Sequence, residues 1–156
     1  MALVVGGNSY VNEAEATAYF DERYGYSKWA AEADKEAAIV SAAQHLDLQC
    51  SWFGDKVDDA QEMEFPRTPD ADPVPQEIKD AQCEIAYAIV DEGSTGTVSD
   101  DPVSELTAGP VTLKFKASAT LGGNPLINSL TSKLLVRFGI CSSGSGSTKI
   151  IPIGMQ

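Results

Sequence analysis

A chain of 156 residues with a formal net charge of −12 and a pI near 4.3 is too acidic to offer nucleic acid a broad basic face, because affinity for phosphate backbones comes largely from Lys and Arg. The length suits one domain able to bury roughly 70% of the surface its unfolded form exposes, so a core is possible without staples. No stretch approaches the roughly 20 apolar residues of a membrane helix, and the opening Met1-Ala2-Leu3-Val4-Val5 lacks the basic flank and length of a secretion signal; the expectation is a soluble protein of the cytoplasm.

In chain order, Asn12 with Glu15 three residues later forms a capping-box-like start, and Ala16, Tyr19, Phe20 and Tyr24 repeat at helical spacing, which predicts a helix from Glu13 to Tyr24 stopped by Gly25. Ser27 then caps a short turn carrying Trp29. Asp34 opens a second long helix whose face, lined by Ala38, Ile39, Ala42, Ala43 and Leu46, is rich in small residues that permit close packing. From Asp47 to Pro73 the pattern breaks into an irregular segment in which Trp52, Phe53, Gly54 and Phe65 act as hydrophobic pegs among aspartates. Pro75 suits a first helical position, Glu77 puts negative charge in the first turn, and Ile78, Ala81, Ile85, Ala88 and Ile89 share one face of a third long helix. Lys79, Asp80, Gln82, Glu84 and Asp91 are expected mostly on the other side, and Gly93 marks the stop.

The segment from Glu92 to Pro110 is rich in Gly, Ser, Thr, Asp and Pro and reads as an arm or linker. Val111, Leu113 and Phe115 alternate with polar residues as in a half-buried strand, whose partner is Leu3 to Val5, the tail at Ile150 to Ile153, or a neighbouring subunit. Asn124-Pro125 predicts the start of a fourth helix with Ile127, Leu130, Leu134 and Phe138 along one face, ending at Gly139. The Ser-Gly run from Ser142 to Ser147 leashes an apolar tail, Ile150-Ile151-Pro152-Ile153, which either docks in trans or tucks onto its own domain. The fold class is mainly α, a small helical bundle with a minor β strand or hairpin, an extended arm and a C-terminal tail. Residues 1–93 form the bundle core, 94–121 the arm with its strand, and 122–156 the C-terminal helix and docking tail, in one domain overall.

Motifs that carry chemistry are scarce. His45 is the only histidine, which excludes a histidine triad or multi-histidine metal site within one chain and leaves it an exposed or edge-packed structural residue. Cys50, Cys83 and Cys141 are odd in number, widely spaced and without a C-x-x-C pair, which predicts reduced structural thiols rather than a disulfide framework or a zinc site. Asp55, Asp58, Asp59, Asp70 and Asp72 lack the calcium-loop pattern and read as a solvated acidic loop. Neither G-x-G-x-x-G, G-x-x-x-x-G-K-[ST] nor G-x-S-x-G occurs. No enzyme and no cofactor is expected. Trp29, Trp52, Phe53 and Phe65 could stack on bases, but their neighbours are acidic and core packing is the better reading. The C-terminal cations available to a local basic patch are Lys114, Lys116, Lys133 and Arg137. Arg67, set among carboxylates, is expected to form a structural ion pair or an intersubunit salt bridge.

Ser9-Tyr10-Val11, Glu15-Ala16, Ala18-Tyr19-Phe20, Trp29, Lys35-Glu36-Ala37-Ala38, Phe53-Gly54, Gln61, Glu64-Phe65-Pro66-Arg67, Val74-Pro75 and Ile78-Lys79-Asp80-Ala81 form an ordered set. Together they resemble the head-tail connector, or neck adaptor, proteins of tailed bacteriophages, members of which are often labelled DnaT-like single-stranded-DNA-binding proteins. The likeness covers Ser9 to Val90, with a weaker stretch from Gly109-Pro110-Val111 and the greatest departure after Leu121. It implies a helical, noncatalytic virion subunit, assembled in the host cytoplasm as a ring, a dodecamer, beneath the portal protein. Such a ring binds the next neck or tail protein and lets double-stranded DNA pass without specific binding; no membrane is involved. Structural roles for Phe65, Pro66 and Arg67 carry over as a brace. Val111, Leu113, Phe115, Ile150, Ile151 and Ile153 are candidate contacts to the portal or to neighbouring copies. The alternative is a single-stranded-DNA-binding module.

Overall fold

The computed structural model describes residues 2–69, 73–93, 105–108, 111–114 and 126–141. The fold is mainly α, with five helices and two small antiparallel ribbons among the described residues. Helix α1 spans Glu13–Asp21, α2 Ser27–Ala31, α3 Lys35–Gln49, α4 Gln76–Glu92 and α5 Ser129–Leu135. Strand β1 is Cys50–Trp52, β2 Glu105–Ala108, β3 Val111–Lys114 and β4 Gly139–Cys141.

The first helix starts where its capping box puts it but ends at Asp21 rather than at Tyr24, whose side chain is fully exposed. Asn12 closes a full capping box on α1, its side chain accepting from the Glu15 amide at 2.8 Å while the Glu15 carboxylate accepts from the Asn12 amide at 2.9 Å. The expected α3 stripe of Ala38, Ile39, Ala42, Ala43 and Leu46 is buried throughout, and it packs against α4, the central helix. Pro75 is the N-cap of α4 rather than its first helical residue, a one-residue difference of the size usual at helix ends. Gly93 terminates α4 in the left-handed conformation, as expected of a glycine stop.

Four expectations are corrected. Gln82 and Glu84 do not face solvent, being 0% and 5% exposed, because α1, α2 and α3 surround α4 on more than one side. Strand β3 pairs with β2, not with Leu3 to Val5, with Leu106 opposite Leu113 and Thr107 opposite Thr112; the short connection makes this the local solution to an unpaired strand. The last helix begins after Asn128, not at Asn124-Pro125, since the Asn128 side chain accepts from both the Leu130 and Thr131 amides at 2.9 Å. That shift leaves Leu130 exposed and buries Leu135.

Cys50 and Cys141 form a disulfide, against the expectation of reduced thiols. The two residues lie directly opposite each other in the β1–β4 ribbon, a pairing that spans 91 residues of sequence and so leaves no local spacing signature. In the chain-entropy account, closing a loop of that length contributes about 4.6 kcal/mol. Gly139 allows the ribbon to close, since a Cβ there would come within 2.6 Å of the Ser51 carbonyl oxygen. Cys83 remains a free, buried thiol, its pKa pushed up to about 12 chiefly by burial.

One hydrogen-bonded residue ties these layers together. Gln82, midway along α4, donates from Nε2 to Ser9 Oγ and to the Ile39 carbonyl oxygen, both at 2.8 Å, and accepts from the Tyr10 amide at 2.9 Å. Gln82→Ala leaves all three groups without that partner inside the core, each at a cost of about 1 kcal/mol or more. The variant is expected to unfold about 3 kcal/mol more easily in urea; a loss under about 1 kcal/mol would contradict a linking role.

Candidate functional site

The irregular segment between β1 and α4 is held by a relay that begins at Tyr10. Its hydroxyl donates to Asp47 Oδ1 at 2.5 Å and accepts from the Phe65 amide at 3.3 Å, while Asp47 Oδ2 accepts from the Glu64 amide at 3.3 Å. Burial, and then the adjacent Asp47 carboxylate, push the Tyr10 hydroxyl far above the usual phenol range. Burial likewise raises Asp47, against the opposing effect of its bond from Tyr10.

Arg67 closes the far end. Its Nη1 pairs with Glu64 Oε2 at 2.6 Å, its Nε donates to the Phe53 carbonyl at 3.0 Å and its Nη2 to the Gly54 carbonyl at 2.5 Å. Lys56 reaches the other Glu64 oxygen at 3.2 Å. The planar guanidinium thus stitches the two sides of the loop, a task that the point charge of lysine would perform poorly. At Gly54, φ is +72° and a Cβ would sit 1.9 Å from the Thr68 carbonyl oxygen, so only glycine lets the two sides approach. Phe65 is buried and meets Tyr10, Trp52 and Phe138 edge to face, and its bond to Pro66 is cis.

A second network surrounds Glu84. Its Oε1 accepts from the Tyr19 and Tyr26 hydroxyls, both at 2.7 Å. Tyr26 packs on Tyr87 with ring centres 4.6 Å apart, and the Tyr87 hydroxyl donates to the Gly25 carbonyl at 2.9 Å. Phe20 and Trp29, 4.7 Å apart, continue this aromatic group inward.

The sequence-derived candidates are distributed unevenly over the fold. Phe65, Pro66 and Arg67 come together in the knot just described. Val111 and Leu113 lie in β3, whereas Phe115, Ile150, Ile151 and Ile153 fall outside the described residues, as do Asp70 and Asp72. His45 is half-buried on α3. Trp29 is buried and Trp52 half-buried, while Phe53 is 52% exposed. Asp47, Gln82 and Glu84 were not singled out by sequence, although Gln82 does have a signal. With Ile78, Ala81 and Ile85 it completes the i, i+3, i+4, i+7 pattern of a core face.

Several surface cations are held by the chain's own carboxylates. Lys28 pairs with Asp91 at 2.5 Å, Lys79 with Glu15 at 3.5 Å and Arg137 with Glu77 at 3.8 Å, in addition to Lys56 and Arg67 on Glu64. Arg23 lies over the Tyr19 ring, 3.5 Å from its centre. Among the described residues no group of three or more His, Cys, Asp or Glu is placed to hold a metal ion, and no helix is long and apolar enough to cross a membrane.

Fold and site therefore define a small, acidic, mainly α domain knit by buried polar networks. The chain belongs to the family described as "Putative DnaT-like ssDNA binding protein", whose model matches residues 2–151. No curated protein and no solved structure matches it.

The buried phenols give a pH dependence. Tyr10, Tyr19 and Tyr26 are raised above the ordinary value of 10.0, Tyr26 to about 12 and the other two further, in each case mainly by burial. A raised folded pKa contributes stability that is fully present below the unfolded value and is lost as pH rises through the folded value. Urea unfolding followed from pH 9 to pH 11 should therefore show stability falling above about pH 10, with a smaller fall in Tyr26→Phe. Equal slopes in the two proteins would contradict the assignment for Tyr26.

Proposed function

We propose that the chain is a noncatalytic structural adaptor, a head-tail connector subunit that forms a ring under the portal protein of a phage capsid and extends the DNA channel. The helices from Asn12 to Asp91 form the ring body, and β3 with the C-terminal tail makes contacts to the portal or to neighbouring copies. Its place is the virion neck, assembled in the host cytoplasm. The observation that carries this reading is the electrostatic one. A chain of net charge −12 holds Lys28, Lys56, Arg67, Lys79 and Arg137 against its own carboxylates, which leaves DNA little to grip and lets it slide. The ordered motif residues Ser9, Tyr10, Glu64, Phe65 and Arg67 also serve one bonded frame, as a structural part would require.

Single-stranded DNA binding is the second reading, and the family description points to it rather than to a virion. One local feature favours it. The exposed Phe53 lies beside Arg67 and Arg137 at the rim of a small cleft that also includes Phe138, an aromatic ring next to cations of the kind that stacks on bases.

Fluorescence anisotropy with a labelled single-stranded oligonucleotide separates the two. The adaptor reading expects no binding at protein concentrations of about 10 μM in moderate salt. Micromolar binding that falls steeply with salt and is lost in Phe53→Ala and Arg137→Ala would overturn it in favour of the DNA-binding module.

A further inference from the structure

The cleft between the α1–α2 turn and α4 has a volume of about 500 Å³ and is lined by Tyr24, Tyr26, Glu84, Tyr87, Asp91 and Glu92 among others. Three carboxylates and three phenol rings thus face one space, and no cation is among the described residues that line it. Lys28 remains at the rim, engaged with the Asp91 carboxylate at 2.5 Å and the Asp91 carbonyl oxygen at 3.3 Å.

The floor of the cleft is built rather than incidental. Glu84 is 5% exposed, and among the described residues both of its side-chain hydrogen bonds, from Tyr19 and Tyr26, fall on the single oxygen Oε1. No Lys, Arg or His among the described residues forms an ion pair with it. Two neutral hydroxyls, and no cation among the described residues, hold this carboxylate, and both bond to the same oxygen. The walls are fixed as well. Tyr87 packs on Tyr26 and its hydroxyl holds the Gly25 carbonyl, which sets the turn that presents Tyr24 fully to solvent.

Aromatic faces beside carboxylates are the surroundings that a guanidinium prefers, since it stacks on the rings and forks onto the carboxylate oxygens. We infer that this cleft receives an arginine side chain of a partner protein, with Glu84 as its buried counter-charge, Tyr24 and Tyr26 as stacking surfaces and Asp91 and Glu92 as the acidic rim. The inference does not depend on whether the chain is an adaptor or a DNA-binding module, since both can engage a protein partner.

The probe is the peptide acetyl-Gly-Arg-Gly-amide, with the citrulline peptide of equal shape and no charge as control, followed by the aromatic carbon NMR signals of Tyr24, Tyr26 and Tyr87. The arginine peptide is expected to move these signals saturably, with an affinity that weakens about 5-fold in Glu84→Gln. Glutamine keeps the shape and the acceptor oxygen for Tyr19 and Tyr26. Should that variant fail to fold, Tyr24→Ala removes a fully exposed ring and is expected to weaken binding about 3-fold. Equal shifts from the citrulline peptide, no shift at these rings, or unchanged affinity in the folded variants would each overturn the proposal.

Discussion

The amide of Gln82 is the constraint on which the rest of this structure depends. It sits inside α4, fully buried, and satisfies three groups from two separate segments: the Ser9 hydroxyl and the Tyr10 amide of the N-terminal segment and the Ile39 carbonyl of α3. An apolar side chain there would pack α3 on α4 equally well but would not fix where the N-terminal segment crosses them. Tyr10, so positioned, passes the constraint on through its hydroxyl to Asp47 and to the backbone at Phe65, and Arg67 then closes the loop onto Phe53 and Gly54. A bonded path therefore leads from the central helix to the edge of the irregular segment. The disulfide between Cys50 and Cys141 adds a covalent tie at the start of that segment, joining α3's end to the strand that follows α5.

This use of polar chemistry has a functional consequence. Glu64 is bridged by Arg67 and Lys56 to hold the loop, and Glu84 is held by tyrosines inside the aromatic group. Ion pairs elsewhere on the surface engage Lys28, Lys79 and Arg137. Charges committed in this way order the fold and are poorly available for phosphate. The family description, by contrast, directs attention to single-stranded DNA, and the Phe53 and Arg137 corner is where the described surface comes nearest to meeting it.

Much of the helical frame was legible in the sequence because its signals are local. The Asn12 and Glu15 capping box, the small-residue face of α3 and the Gly93 stop each act within a few residues. The misses share the opposite character. The Cys50–Cys141 disulfide depends on strands far apart in sequence, and the burial of Gln82 and Glu84 depends on how many helices surround α4. Periodicity assigned these two residues to solvent because polarity was read as exposure, although Gln82 falls at a core position of its own helix. Alternation marks the strand at Val111, whereas its partner Glu105–Ala108 lies within a segment whose composition reads as a linker. Of the candidate site, Arg67 was legible from its setting among carboxylates, whereas its two bonds to backbone carbonyls, which give the knot its shape, have no sequence signature.

Cryo-electron microscopy of the chain mixed with a phage portal protein tests the adaptor reading most directly. The account predicts a closed ring of copies on the portal, coaxial with its channel, with acidic side chains lining the bore. Portal particles that stay bare at saturating concentrations of the folded chain would contradict it.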